Sequence, residues 1–143
     1  MKAMAGITLV LMLTLSLLLG CGDDNGPISS STVGGTGYKV VLSASNSSVR
    51  SGGTVALTAV AYDQDGKVIL VDDDGITFQA NAGGVTFDSS AKMKITGGAA
   101  TTVMKYEDTS STDNPDFSQA CLVSASYRGA LTSIEIVLVA KAF

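Results

Sequence analysis

Between Gly52 and Gly66 the chain reads GGTVALTAVAYDQDG, and its alternation constrains the backbone more than any other stretch. Val55, Leu57, Ala59 and Ala61 fall on one side of an extended segment, with Thr54, Ala56, Thr58 and Val60 on the other. A period of two is met by a strand and not by a helix. The same period returns in GITFQA (Ile76, Phe78, Ala80), in QACLVSASYRG (Cys121, Val123, Ala125, Tyr127) and in TSIEIVLVA (Ile134, Ile136, Leu138). Each apolar face needs a second face to cover it, and no stretch beyond Tyr38 carries a capped helical period. The spacing therefore predicts an all-β domain over residues 38–143, two packed sheets of about seven antiparallel strands.

Composition fits that architecture and narrows the function. The chain has no Trp, four Tyr and four Phe, so its core must come from small and β-branched side chains, which suit strands. It has no histidine. That removes the commonest general base, the Ser-His and Cys-His nucleophile pairs and the commonest transition-metal ligand. No serine stands in a G-x-S-x-G elbow, so a non-catalytic protein is expected, and a small hydrolase working through a Tyr or carboxylate pair is the remote alternative. The net charge is −4, and one unit more negative once a leader carrying Lys2 is removed. With no cluster of Lys or Arg, a phosphate backbone would be repelled, and nucleic acid is not expected as a partner.

Residues 1–20 have the anatomy of a secretory signal: Lys2 near the start, then an apolar run from Ile7 to Leu19 broken only by Thr8, Thr14 and Ser16. The run stops at Leu18-Leu19-Gly20-Cys21, which resembles the bacterial lipobox, with Leu19 departing from the small or β-branched residue usual at that place. The resemblance implies cleavage before Cys21 and lipidation of its thiol, the nucleophile able to take a diacylglycerol. Gly22, not aspartate, follows the cysteine. By resemblance to enterobacterial sorting, this implies the outer membrane. Ordinary secretion and a retained helix remain the alternatives. From Gly22 to Gly37 the chain is rich in Gly, Ser, Thr and Asp without apolar periodicity. Residues 21–37 are expected to form a flexible tether with an r.m.s. span of about 20 to 25 Å.

Several segments, in order, carry a second resemblance: VVLSASNSSVRSGGTVALTAVAYDQDGKVI, GITFQANAGGVTF, GGAATTVMKYE and CLVSASYRGALTSIEIVLV. Together they resemble the bacterial immunoglobulin-like domains of the invasin and intimin type, the Big family, over about residues 38 to 140. Departures are the acidic run KVILVDDDG and the insertion EDTSSTDNPDFSQ. The resemblance implies an immunoglobulin-like sandwich serving as a surface spacer or presenting a binding tip, and a single copy excludes a long stalk.

Two segments hold the candidate sites. Asp63, Asp65, Asp72, Asp73 and Asp74 lie in DQDGKVILVDDDG, where clustered carboxylates could ligate calcium or could form a solvated acidic loop whose Asp-Gly pairs make turns. Glu107 to Gln119 is longer than a hairpin needs, which points to function or disorder, and Asp113, Asp116 and Phe117 are its candidate partner contacts. Strand alternation predicts that this insertion sits beside the NSSVRSGG turn, at the end opposite the tether. Cys121, on an inward face, is expected to be a buried free thiol. The expected function is a cell-envelope lipoprotein, held to the membrane by its N-terminal lipid, whose one module binds an envelope or surface protein or a polysaccharide or serves as a structural component. A calcium-responsive binding module is the alternative.

Overall fold

The computed structural model describes residues 26–88, 91–109 and 117–141. Regular structure in them consists of strands: β1 (Ile28–Val33), β2 (Lys39–Ala44), β3 (Ser48–Arg50), β4 (Thr54–Tyr62), β5 (Val71–Ala80), β6 (Val85–Phe87), β7 (Lys92–Thr96), β8 (Ala100–Tyr106), β9 (Ser118–Tyr127) and β10 (Ala130–Val139). They form two five-stranded sheets, in the orders β1-β2-β4-β8-β6 and β3-β10-β9-β5-β7. Neighbours are antiparallel except β3, which runs parallel to β10. The grouping of β2, β4, β8 and β6 against β10, β9 and β5 reproduces the four-and-three division of an immunoglobulin-type sandwich.

Ten strands stand where the sequence predicts about seven. The opening strand is split into β2 and β3, one in each sheet; β7 borders β5; and β1 lies upstream of the expected domain start. The alternating faces pack as their spacing predicts. Val55, Leu57, Ala59 and Ala61 of β4 are buried, as are Ile76 and Phe78 of β5, Cys121 to Tyr127 at alternate positions of β9, and Ile134, Ile136 and Leu138 of β10. Each large aliphatic or aromatic side chain so enclosed contributes about 1.5–3 kcal/mol. Phe78 lies fully inside with its ring centroid 6.5 Å from that of Phe87. Cys121 is a buried free thiol, and burial pushes its ionisation up.

Part of the predicted tether is a strand. Six of its residues, Ile28–Val33, pair with β2 from Ile28↔Ala44 to Val33↔Lys39. The edge of β2 supplies backbone partners, Ile28 packs on the core, and Thr132 Oγ1 of β10 donates to Ser30 Oγ at 3.2 Å. Serines that read as linker thus satisfy polar positions beside a second sheet.

Strand β1 also reverses the predicted polarity. It runs opposite to β2, so the chain arrives from the end marked by the 51–53 turn, here called the lower end. The Gly52 amide donates to the Tyr106 carbonyl, the Asp108 amide to Ser51 Oγ, and the Ala140 amide to the Phe117 carbonyl. The insertion therefore starts beside the NSSVRSGG turn, as expected, but at the end from which β1 rises rather than at the far end. The upper end carries the turns 34–38, 63–67, 96–99 and 128–129.

Candidate functional site

At the upper end β9 and β10 are joined by the two residues Arg128 and Gly129, between the paired Tyr127 and Ala130. Both have positive φ, 44° and 85°, the requirement of a tight primed hairpin turn that favours Asn, Asp or Gly at its first position. Among the described residues Arg128 is the one non-glycine with positive φ. Its side chain accounts for its presence in that disfavoured backbone. The guanidinium lies 5.5 Å from the ring centroid of Tyr38 and 5.3 Å from that of Tyr127. Its Nη2 donates to Asp72 Oδ2 at 2.9 Å and its Nη1 to the Tyr38 hydroxyl at 3.3 Å. The Tyr127 hydroxyl donates to the same Asp72 oxygen, and the two tyrosine rings meet edge to face at 5.7 Å. Four residues from the β1–β2 turn, β5, β9 and the β9–β10 turn are thereby latched together.

The electrostatics follow from those contacts. The hydrogen bond from Tyr127, then the Asp74 amide and the Arg128 charge, hold the Asp72 carboxyl below its ordinary value against a smaller opposing effect of desolvation. Burial, followed by the bond to Asp72, pushes the Tyr127 phenol up to about 12. Charge-assisted bonds of this kind are the stronger class.

Asp72 reaches this position because β5 bulges. Asp72 stands opposite Ile95 and Ile76 opposite Met93, so four steps along β5 match two along β7. Gly75, at φ +63°, is required there: a Cβ on it would come within 2.1 Å of the Met93 carbonyl oxygen. The Asp74 amide donates to Asp72 Oδ1 at 2.8 Å, and Asp73 turns outward to pair with Lys94 at 2.8 Å, an exposed pair of small energetic weight. The run DDDG is thus a bulge inside a strand, not part of an acidic loop. Asp63, in the turn before it, accepts the amides of Asp65 and Lys67 on Oδ1, each at 2.9 Å. Among the described residues no three carboxylates, thiols or imidazoles gather where they could hold a metal ion. Asp63, Asp72 and Asp73 line one cleft, but each carboxylate is engaged separately: Asp63 in its turn, Asp72 in the bulge and on Arg128, and Asp73 on Lys94.

Beside the latch the chain exposes three aliphatic side chains within four residues: Val68 at 41 %, Leu70 at 64 % and Val71 at 73 %. Ile69 between them packs on the core. The 96–99 turn lies against two of them: the Gly98 amide donates to the Leu70 carbonyl at 2.9 Å, and a Cβ on Gly98 would meet the side chains of Val68 at 3.3 Å and Leu70 at 3.6 Å. An open cleft of about 560 Å³ runs from Ile69 and Val71 past Asp63 and Asp73 to Tyr38, Asp72 and Arg128. The sequence reading missed this apolar strip because the neighbouring aspartates dominated it. The signals that could have found it are VILV, four apolar residues without alternation, and an arginine before the hairpin glycine in YRG.

The remaining sequence candidates lie elsewhere. Phe117 is 45 % exposed at the lower end; Cys21, Asp113 and Asp116 fall outside the described residues. No family model and no curated protein matches the chain. Among solved structures it is similar to the ZirS C-terminal domain, with 14 % identity over 99 % of this chain and 82 % of that one and a TM-score of 0.41. It is also similar to domains 4 and 5 of the S-layer protein SbsC, with 12 % identity over 90 % of this chain and 82 % of that one and a TM-score of 0.40.

Proposed function

We propose that this chain is a non-catalytic envelope lipoprotein, acylated at Cys21 and sited at the outer membrane, whose single sandwich of the bacterial immunoglobulin-like kind presents its upper end to another protein. The observation that carries the reading is the strip Val68, Leu70 and Val71, exposed on a frame fixed by the Arg128 latch and the 96–99 turn. Clustered exposed aliphatics bordered by charge, here Val68 and Leu70 over the 96–99 turn and Val71 on the cleft, are what protein contact surfaces present. Polysaccharide is the less favoured ligand: its recognition calls for open aromatic faces, and Tyr127 is buried while Tyr38 lies against it. Absence of histidine supports a non-catalytic role.

The test is crosslinking in intact envelopes from a photoreactive residue at Thr96, beside the strip, followed by identification of the adduct. Leu70→Ser with Val71→Ser is expected to remove the adduct while the domain still unfolds cooperatively, since both side chains are largely exposed. Adducts of unchanged yield would move the binding surface off this end. Independently, Cys21→Ser is expected to abolish lipid labelling and leave the domain folded. A substituted chain that keeps its leader and stays in the membrane would refute the lipoprotein reading.

A further inference from the structure

Strand β10 is paired on both sides for only part of its length. With β9 it pairs from Ala130↔Tyr127 to Val139↔Ser118 without a register shift, and the Ala140 amide prolongs that ladder to the Phe117 carbonyl. The even-numbered residues of β10 therefore turn their backbone groups toward β9 and the odd-numbered ones away from it. On the far side β3 covers Val137 to Val139, with the Val137 amide donating to the Ser47 carbonyl and the Ser51 amide to the Val139 carbonyl. Above that point the N–H and C=O groups of Leu131, Ser133 and Glu135 find no backbone partner among the described residues. The gap has firm ends. Ser47 closes it below, and above it Gly34 lies so tightly against Ala130 that a Cβ on Gly34 would come within 2.6 Å of the Ala130 α-carbon. The open edge from Leu131 to Glu135 spans about 16 Å.

Strand β1, in the other sheet, overhangs this gap. The bond from Thr132 Oγ1 to Ser30 Oγ sets it against β10. Ile28, Ser30 and Thr32 stand opposite the buried Ala44, Leu42 and Val40 of β2 and share their inward face, yet Ser30 is only part-buried and Thr32 is exposed. Their cover is missing where β10 lacks a neighbour. Two other edges are guarded: β6 has three residues, and β7 is bulged against β5 and bears Lys92 and Lys94. A strand added outside β1 would have no opposing sheet, whereas one added to β10 would lie beneath β1.

We propose that the upper half of β10 receives an extended segment of another protein as an antiparallel strand in line with β3. This surface is separate from the Val68–Val71 strip and does not depend on acylation. The chemistry of the segment follows from its neighbours. Glu135 is exposed and joins none of the ion pairs among the described residues, so a Lys or Arg belongs opposite it. Leu131, 54 % exposed, calls for an aliphatic residue. The inward positions between them must be small, because Ser30 and Thr132 already meet at 3.2 Å. Antiparallel addition lets Leu131, Ser133 and Glu135 each exchange both backbone bonds with the residue opposite, so the main chain supplies affinity and the alternate side chains selectivity.

Residue-resolved amide hydrogen exchange on the full chain in detergent micelles tests this, with the peptide acetyl-Lys-Ser-Thr-Ala-Val-amide as probe and its Glu-Ser-Thr-Ala-Val counterpart as control. Without peptide, the amides of Leu131, Ser133 and Glu135 should exchange roughly 100-fold faster than those of Thr132 and Ile134, which are bonded to β9. The lysine peptide at about 10 mM should slow those three amides about fivefold, the response expected of millimolar affinity, and the glutamate peptide should not. Ser133→Pro removes a donor that faces the open side and no bond to β9, so it should keep Thr132 and Ile134 protected while the peptide effect disappears. Glu135→Lys should transfer the preference to the glutamate peptide, and this variant decides the matter should Ser133→Pro not fold. Absence of slowing, slowing of β1 amides instead, equal response to the two peptides, or a full effect in Ser133→Pro would overturn the proposal. Amides of Leu131, Ser133 and Glu135 that are slow without peptide and quicken on dilution would give the edge to a second copy of this chain and overturn it likewise.

Discussion

Gly75→Ala tests whether the β5 bulge is what builds the latch. The substitution has two costs, and the structure separates them. Alanine at φ +63° pays a left-handed penalty of about 1 kcal/mol. Its Cβ would also lie 2.1 Å from the Met93 carbonyl oxygen, a backbone atom, so β5 and β7 must part by about 1 Å near the bulge. The simplest relief is to surrender the pairs Val71↔Thr96 and Asp72↔Ile95, which at about 1 kcal/mol net per hydrogen bond adds roughly 2 kcal/mol. The total, about 3 kcal/mol, lowers the melting temperature by on the order of 10–15 °C in a domain of this size. Gly66→Ala is the internal control: φ is +77° and nothing lies within 4 Å of its Cβ, so it bears the first cost alone, about 1 kcal/mol or roughly 4–5 °C. Thermal unfolding followed by circular dichroism reads both. If Gly75→Ala melts with Gly66→Ala, the close contact with Met93 does not constrain the fold and the bulge argument fails.

Other outcomes follow from the same contacts. The latch contribution should be flat from about pH 5 to 9: it is lost as pH falls through the lowered Asp72 value, and lost as pH rises from the unfolded tyrosine value near 10 through the folded value of about 12. The stability advantage of wild type over Tyr127→Phe measured across pH should narrow at both extremes, and an advantage constant up to pH 12 would contradict the bond to Asp72. In Asp72→Asn, ultraviolet titration should show the Tyr127 phenol ionising at lower pH. Calcium and chelator should give superimposable melting curves, since the aspartates do not converge on one ion; a calcium-dependent rise would show mass-action stabilisation by a bound ion. Phe78→Ala, which empties a fully buried site beside Phe87, should cost about 3–5 kcal/mol by chemical denaturation.

The parts of the fold legible in the sequence are those where burial imposes a period. Along β4 and β10, and along β9 from Cys121 on, inward residues alternate without interruption, because each faces a covering sheet on one side and water on the other. Legibility ends where that condition ends. In β1 the inward position at Ser30 meets a threonine hydroxyl rather than apolar side chains, so nothing in ISSSTV distinguishes strand from linker. In β5 the bulge inserts residues into the alternation, and Asp-Gly, an ordinary turn signal, stands inside a strand. The latch was illegible for another reason: Tyr38, Asp72, Tyr127 and Arg128 are brought together only by the sheet order, and no local spacing relates them. Cys21, Asp113 and Asp116 lie outside the described residues, and the geometry neither gathers nor separates them.

The β1–β2 pairing also sets how the domain responds to force. A pull toward the lower end, applied at Ile28, acts along the axis of β1, while a load taken up at the upper end draws the rest of the sandwich the other way. The six residue pairs from Ile28↔Ala44 to Val33↔Lys39 then resist together, in shear, because antiparallel hydrogen bonds stand perpendicular to their strands. Had the chain left directly from Lys39 at the upper end, the same pull would have peeled β2 from β4 one pair at a time, beginning at Lys39↔Tyr62. A six-residue strand that adds little to the core thus gives the domain a mechanical clamp, and its rupture rate under load, rather than its equilibrium stability, decides how long the fold survives tension.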